Sequence, residues 1–235
     1  MSGGVPEGIY TVTAVKNDEA MPFPLPSAEG KLARDALPVL LERLQKSDVC
    51  VLGPGLGRSD ALTALVQAVV TQSGTPFVLD ADALNCISTR PHLLELLPPQ
   101  TVMTPHAGEF DRLFGQHDTA ENRPKKAIEV ARQYNIVIVL KGHYTATVRP
   151  TGRVYFNSSG NPGMATAGAG DVLAGVIGAF MAQGYRPDLA ATIGVYIHGR
   201  GGDLAAEELG EFGMMAGDSS DRRGRAIRKV MTSKN

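Results

Sequence analysis

The glycine-rich segment at residues 161–171, NPGMATAGAGD, carries residue types that suit chemistry on a phosphate group. Aliphatic residues follow it at helical spacing, at Val172, Leu173, Val176 and Ile177. A glycine-rich turn that enters a helix binds anions, because free backbone N–H groups and the helix dipole both favour negative charge. Asp171 could therefore take a proton from a hydroxyl while the backbone N–H groups around it hold a phosphoryl group. The alternative is that Asp171 only caps the helix, although a cap alone needs none of the NPGMAT run.

A second glycine-rich segment, GPGLG at residues 53–57, lies between a predicted strand and a helix that Ser59 is expected to cap. Its spacing differs from the GxGxxG of dinucleotide-binding turns, and Asp80 matches the acid expected about 20 residues later only loosely. A Rossmann dehydrogenase is therefore disfavoured. Close approach of a ligand to the backbone is the leading interpretation, and a purely structural turn is the alternative.

Polar residues also follow the next predicted strands. Asp80, Asp82 and Asn85 lie at the end of one strand, where paired carboxylates could bind Mg²⁺ through water. Equally, such residues satisfy nearby backbone groups in turns, and both interpretations stay open. His106 follows another strand and could contact a ligand phosphate or hydroxyl. Glu109 lies at a helix start, where the dipole alone favours an acid.

Lys141 follows the clearest buried strand, in the motif LKGHYT. A lysine is a compact charge that suits nucleotide phosphates, and Gly142 would let the backbone approach a ligand. A solvated lysine at the start of a hairpin is the alternative. The sequence contains no P-loop, protein-kinase signature, zinc-type Cys/His cluster or nucleophile elbow.

Short apolar runs alternate with amphipathic runs along the chain. Strands are predicted at residues 9–15, 48–52, 76–80, 101–104 and 136–140, with a hairpin at 144–148 and 153–156. Helices are predicted at residues 31–45, where Pro38 would bend or divide the helix, and at 59–71, 108 onward, 124–134 and 171 onward. This alternation implies a largely parallel sheet covered by helices on both faces. Ligands bind at the carboxyl ends of the strands in such sheets, where these polar loops lie.

The bulk properties limit the classes of function. The chain has 235 residues, 43% of them hydrophobic, which suits a single domain over residues 1–235. The net charge of −1 lacks the basic excess of a nucleic-acid-binding domain. Two cysteines make no disulfide framework and fit a reducing compartment. With no signal peptide and no apolar run near the roughly 18 residues of a membrane span, we expect a cytoplasmic protein that binds neither nucleic acid nor membrane.

The order of these motifs resembles that of the ADP/ATP-dependent NAD(P)H-hydrate dehydratases of the ribokinase-like superfamily. The segments GPGLG, DADALN, TPHAGE, LKG and NPGMAT…GD follow one another in this order, and VYIHG and GDLAA at residues 195–206 resemble the family's late helix. The resemblance runs from about residue 8 to about residue 228. It implies a three-layer α/β/α fold with a mostly parallel central sheet.

The resemblance implies metabolite repair, in which the S form of hydrated NADH or NADPH (NADHX or NADPHX) loses water. ADP or ATP, with Mg²⁺, would phosphorylate the ring hydroxyl, and phosphate would then leave. By resemblance, the catalytic residues are Asp171, Gly170 and Ala169. The dinucleotide would contact Gly57, Asn85, His106 and Asp171. The adenine nucleotide would contact Lys141, Gly142, His143, Tyr144, Thr145 and Gly170. No metal-ligating residue is assigned.

Two departures from the family pattern stand out. AGAGD replaces the usual Gly-Gly-Ser/Thr-Gly-Asp, which removes a hydroxyl at residue 169 but keeps every backbone N–H, so we expect a modest effect. The family's first strand and helix, which precede a strand like GIYTVT at residues 8–13, are absent, so we expect a fragment, a misassigned start or a degenerate paralogue.

The resemblance also bears on partners. It implies a homo-oligomer and, since we expect the chain to lack the epimerase domain that is fused to some relatives, a separate NAD(P)H-hydrate epimerase. Two other functions stay open: a small-molecule kinase of the same superfamily acting on a vitamin-precursor alcohol, and a nucleotide-binding protein without catalysis.

Overall fold

The computed structural model describes residues 1–117, 119 and 121–232. The strands are β1 Ser2–Pro6, β2 Met21–Leu25, β3 Ser27–Ala28, β4 Lys31–Leu32, β5 Cys50–Leu52, β6 Phe77–Leu79, β7 Val102–Met103, β8 Val137–Leu140, β9 Ala146–Val148 and β10 Val154–Phe156. The α-helices are α1 Tyr10–Lys16, α2 Ala36–Leu44, α3 Asp60–Gln72, α4 Ala81–Thr89, α5 Ala107–Phe114, α6 Asn122–Tyr134, α7 Ala169–Ala182, α8 Pro187–Leu209, α9 Ala216–Asp221 and α10 Arg223–Thr232. None of the helices within these ranges is long and apolar enough to cross a membrane.

Six strands form the central sheet in the order β10-β9-β8-β7-β6-β5. Strands β5 to β8 are parallel, whereas β9 and β10 form the antiparallel hairpin predicted from the sequence. Each parallel connection passes through at least one helix, as a crossover requires. The carboxyl ends of β5 to β8 therefore lie at one edge of the sheet.

The two faces of the sheet are covered by different helices. In β6, Phe77 and Leu79 belong to a core cluster with α3, α4 and α6, whereas Val78 belongs to a second cluster with α7 and α8. All three side chains are fully buried. Burial on both faces explains why such a strand is a continuous apolar run rather than an alternating one. The predicted three-layer α/β/α fold with a mostly parallel sheet is confirmed.

The predicted strand at residues 9–15 is wrong, and so is the match of residues 8–13 to the family's strand. The segment is helix α1, in which Thr13 Oγ1 donates to the Ile9 carbonyl at 2.9 Å. The amino-terminal strand is β1, which precedes this segment and pairs with β2 in a separate two-stranded parallel sheet. Two parallel neighbours need a crossover between them, and α1 supplies it despite the β-branched residues that suggested a strand.

The predicted helix at residues 31–45 begins later, at Ala36. Lys31 and Leu32 instead pair with Ser27–Ala28 around a turn at Glu29 and Gly30, both of which have positive φ. Pro38 lies in the first turn of α2, where a missing N–H costs no helical hydrogen bond, so it neither bends nor divides the helix.

Gly53 follows β5 directly and lets the backbone there pack closely against the residue that follows β6. Its φ is 129°, and a Cβ at this position would overlap the carbonyl oxygen of Asp80. Gly55, in the same turn, also has a positive φ, 66°, but a Cβ there would meet no atom. The turn thus needs glycine at both positions because of the positive φ. At Gly53 it also needs glycine because no side chain fits against Asp80.

We predict that Gly53→Ala lowers the free energy of unfolding much more than Gly55→Ala. Both sites carry a backbone penalty for a positive φ, about 1–2 kcal/mol in the left-handed region where Gly55 lies, whereas only Gly53→Ala adds overpacking of about 1–3 kcal/mol or more. Denaturant unfolding of the two variants tests this. Equal losses of stability would contradict the packing role of Gly53.

Candidate active site

The loops after the four parallel strands meet at the carboxyl edge of the sheet. Backbone pairing continues past the strand ends: Asp80 N–H donates to the Leu52 carbonyl at 3.1 Å and Lys141 N–H donates to the Pro105 carbonyl at 2.8 Å. His106 and Lys141 form an isolated parallel bridge. The polar residues predicted to share one edge of the sheet therefore do so.

The amino end of α7 faces this edge. The helix begins at Ala169, and its N-cap, Gly168, has a φ of 87° and receives no side-chain capping bond. Ala169 N–H donates to the Thr166 carbonyl at 3.3 Å. Within the described hydrogen bonds, this leaves the N–H groups of Gly170 and Asp171 without an acceptor, as an anion-binding helix terminus requires.

Asp171 is the third residue of α7 rather than its N-cap, so the purely capping role considered from the sequence does not hold. Its side chain is exposed at the sheet edge. Partial burial by neighbouring atoms raises the pKa of the Asp171 carboxyl, the negative charge of Asp80 raises it further, and Lys141 opposes both. A raised pKa brings a carboxylate closer to the range in which general bases work.

An ion pair lies beneath the amino end of α7. Lys141 Nζ is 2.6 Å from Asp80 Oδ1 and 3.9 Å from Glu109 Oε2. The two carboxylates are buried, and the Lys141 side chain is only 19% exposed, so the alternative of a solvated lysine is wrong. A Cβ at Gly170 would lie 3.3 Å from Lys141 Nζ. The absence of a side chain at Gly170 thus lets the helix end sit directly against the lysine.

The two carboxylates of the DADALN motif do not converge. Asp80 binds Lys141, whereas Asp82 accepts from Gly57 N–H at 2.9 Å and from Asn85 Nδ2 at 3.2 Å. The described residues contain no group of three or more His, Cys, Asp or Glu side chains that could hold a metal ion. This pair of acids therefore does not form the paired-carboxylate site that could hold Mg²⁺, and Asp82 is bonded to Gly57, 25 residues away, rather than to the backbone of its own turn.

His106 caps helix α5. Its Nδ1 accepts from Gly108 N–H at 3.0 Å and from Glu109 N–H at 3.3 Å, while Glu109 Oε2 accepts from the His106 N–H at 2.9 Å. Since Nδ1 is an acceptor, the neutral ring carries its proton on Nε2. The side chain is 54% exposed, which leaves the ring accessible to a ligand in addition to its capping role.

The segment that joins β8 to β9 is the predicted nucleotide loop. Thr145 Oγ1 donates to the Gly142 carbonyl at 3.0 Å and closes the turn. His143 and Tyr144 are exposed and stack edge to face, with ring centroids 4.4 Å apart. The loop therefore presents two aromatic rings and an open backbone next to Lys141.

The contacts of Asp203 were not predicted, although its GDLAA motif was recognised in the sequence. Asp203, on α8, accepts from Gly160 N–H at 3.1 Å and from Asn161 Nδ2 at 3.2 Å, which anchors the loop leading to α7. Gly199 and Gly202 of α8 leave room for this loop, because a Cβ at either would overlap Ser159 or Met164. Glycine is costly inside a helix, so the HGRGGD run at residues 198–203 was a signal of close packing.

Comparison with known proteins agrees with this geometry. The family model described as NAD(P)H-hydrate dehydratase (Carb_kinase) matches residues 4–223. The bifunctional NAD(P)H-hydrate repair enzyme Nnr of Moorella thermoacetica is 44% identical over 224 residues, which cover 94% of this chain and 42% of that protein. The ADP-dependent (S)-NAD(P)H-hydrate dehydratase of Neisseria meningitidis serogroup B is 35% identical, over 90% of this chain and 73% of its own length.

A crystal structure of the ADP/ATP-dependent NAD(P)H-hydrate dehydratase from Bacillus subtilis, co-crystallised with ATP/Mg²⁺, superposes with a TM-score of 0.77. It is 26% identical and covers 97% of this chain and 78% of its own chain. The present chain spans less than half the length of the bifunctional Nnr relatives. The family match, the identities and the shared fold together show that this chain belongs to the NAD(P)H-hydrate dehydratase family of ribokinase-like proteins.

Proposed function

We propose that the chain dehydrates the S form of NADHX and NADPHX back to NADH and NADPH, with ADP or ATP as co-substrate. The observation that carries this proposal is the position of Asp171. Its carboxylate has a raised pKa and is accessible at the amino end of α7. The ion pair of Lys141 and Asp80 lies against the same helix end. A base, free N–H donors and a fixed cation are the groups that phosphoryl transfer to a hydroxyl needs.

In the first step, Asp171 accepts the proton of the ring hydroxyl while the hydroxyl oxygen attacks the terminal phosphorus of the nucleotide. The N–H groups of Gly170 and Asp171 stabilise the charge on the transferring group. The leaving oxygen of the nucleotide keeps its electron pair. Phosphate then departs with the electrons of the carbon–oxygen bond, and the neighbouring ring carbon loses a proton to restore the reduced nicotinamide.

The remaining family assignments are part of the same proposal. Gly57, Asn85 and His106 contact the hydrated dinucleotide. Lys141, Gly142, His143, Tyr144 and Thr145 contact the adenine nucleotide together with Gly170. The exposed loop beside Lys141 supports the nucleotide contacts, and the ring of His106, 54% exposed with Nε2 3.5 Å from Glu109 Oε1, supports the contact of His106. We propose that Mg²⁺ arrives with the nucleotide phosphates, since Asp80 and Asp82 do not pair to hold it.

Ala169 was expected to join Gly170 and Asp171 in binding the phosphoryl group through its N–H, but that N–H donates to the Thr166 carbonyl at 3.3 Å and is not free. The missing hydroxyl removes a side-chain donor next to Gly170 but leaves the helix terminus intact. A cytoplasmic location, a homo-oligomer and a separate NAD(P)H-hydrate epimerase that supplies the S form complete the proposal. The bifunctional relatives support a second repair activity acting on the same substrate.

The first test is the Asp171→Asn variant. We expect it to lower the dehydration rate by about 10²–10⁴-fold, because the amide cannot accept the hydroxyl proton, while ADP still binds. The rate is measured as the nucleotide-dependent rise in reduced-nicotinamide absorbance. Asp60→Asn is the matched control, since Asp60 is an exposed acid in the first turn of another helix, α3.

Full activity of Asp171→Asn would overturn the assignment of the base. No turnover by wild-type protein that binds ADP would overturn the dehydratase proposal itself and favour a kinase for another alcohol or a nucleotide-binding protein.

The second test is the pH dependence of the reaction. Asp171 acts only when deprotonated, so the rate falls as pH drops through its raised pKa. Replacing Asp80 with Asn removes the negative charge that helps raise this pKa. We therefore expect the acidic limb of the kcat/KM profile to move to lower pH in Asp80→Asn, whatever happens to the maximal rate. A limb that stays in place or moves to higher pH would contradict the electrostatic coupling of the two acids.

A further inference from the structure

Two exposed arginines, Arg58 and Arg112, lie next to the residues proposed to bind the dinucleotide. Arg58 Nε donates to Asp82 Oδ1 at 3.1 Å, and the same oxygen accepts from Asn85 Nδ2 at 3.2 Å. Asn85 Oδ1 in turn accepts from Arg112 Nε at 3.1 Å. One continuous chain of hydrogen bonds therefore links the two guanidinium groups through a carboxylate and an amide.

This series of hydrogen bonds is anchored to buried parts of the protein. Asn85 is buried, and Asp82 also accepts from Gly57 N–H at 2.9 Å. The two positions are three residues apart on α4, so both side chains lie on the same face of the helix. These hydrogen bonds thus orient both arginines relative to the glycine turn that is proposed to contact the substrate.

Arg112 also lies next to His106. A Cβ at Gly108 would be 3.1 Å from His106 Cε1 and 3.8 Å from Arg112 Nη1, so the histidine ring and the guanidinium flank the same glycine. Gly57, Asn85 and His106 therefore each lie near one of the two guanidinium groups. None of these contacts involves the nucleotide loop at Lys141.

The charges of the four side chains joined by these hydrogen bonds do not cancel. Asp82 forms an ion pair with Arg58, but Arg112 is bonded to a neutral amide and has no carboxylate within ion-pair distance among the described residues. Both guanidinium groups are held through Nε, and among the described hydrogen bonds their terminal nitrogens have no partner. A planar guanidinium fixed in this way suits a phosphate, which it can bind with two parallel hydrogen bonds.

We propose that Arg58 and Arg112 bind a phosphate group of the hydrated dinucleotide and so determine its affinity. This inference rests on the proposed function, since it takes the dinucleotide to lie at Gly57, Asn85 and His106. Two phosphates have the required chemistry: the diphosphate bridge, which NADHX and NADPHX share, and the 2′-phosphate, which only NADPHX carries. In either case the arginines act on binding rather than on the reacting hydroxyl.

The test compares wild type with Arg58→Gln and Arg112→Gln. The affinities of the products NADH and NADPH and of dihydronicotinamide riboside, which has no phosphate, are measured by fluorescence titration. We expect each variant to weaken dinucleotide binding on the order of 10- to 100-fold, since a hydrogen bond to a charged group is lost, and to leave riboside binding unchanged. Arg153→Gln is the control, because Arg153 is exposed in the β9–β10 turn at the opposite edge of the sheet.

The pattern across ligands identifies the phosphate. Equal losses for NADH and NADPH support binding of the diphosphate bridge, whereas a loss confined to NADPH supports binding of the 2′-phosphate. Unchanged affinity for both dinucleotides, or an equal loss for the riboside, would overturn the proposal. Steady-state kinetics with NADHX and NADPHX should show a raised KM at unchanged kcat. A KM increase for ADP or ATP instead would also overturn it.

These measurements separate the inference from the proposed function. If the wild-type protein binds NADH but does not turn over NADHX, the dehydratase proposal fails while the titrations still decide the role of the arginines. The melting temperature of each variant is compared with wild type, so that a structural loss is not mistaken for lost phosphate contacts.

Discussion

The buried ion pair between Lys141 and Asp80 determines how the sheet edge and the amino end of α7 fit together. A carboxylate as buried as Asp80 is stable only with a charged partner, because an unpaired buried charge costs several kcal/mol. Lys141 is therefore held between Asp80 and Glu109. With its position set by one acid that follows β6 and another on α5, the lysine becomes a fixed charge at the site rather than a mobile one.

Helix α7 depends on this arrangement at its amino end. Gly170 lacks a side chain, so the helix can approach Lys141 and Asp80 closely, and Asp171 then lies within the electric field of both. The opposing effects of Asp80 and Lys141 on the pKa of Asp171 follow from that proximity. The same contact that stabilises the edge of the sheet thus adjusts the protonation of the proposed base.

The loop before α7 is held in place from the other side, by α8. Asp203 binds the backbone of Gly160 and the side chain of Asn161, and the glycines of α8 leave a shallow surface for the loop. A segment so rich in small residues has little packing of its own and would lose much conformational entropy on ordering. Its order therefore comes from α8, which explains the glycines that a helix would otherwise avoid.

Much of the fold could be predicted from the sequence because its central strands are buried on both faces. Runs such as that of Phe77–Leu79 are continuous and apolar, and the helices between them have clear start signals, as at Ser59, whose side chain accepts from the Leu62 N–H at 3.1 Å. The amino-terminal segment was mispredicted because β-branched residues favour a strand locally. Its helical state follows from the parallel pairing of β1 with β2, which local sequence does not contain.

The sequence by itself determined which residues bear the chemistry and that they follow successive strands, because apolar runs and the polar loops between them are local patterns. It also determined the family, through the order of those loops. Only the tertiary structure decided which charges meet. Lys141 pairs with Asp80, 61 residues away, and Arg112 is joined to Arg58 through Asn85 and Asp82. These contacts depend on the order of strands in the sheet and on the packing of helices against it, and neither is encoded within any single segment.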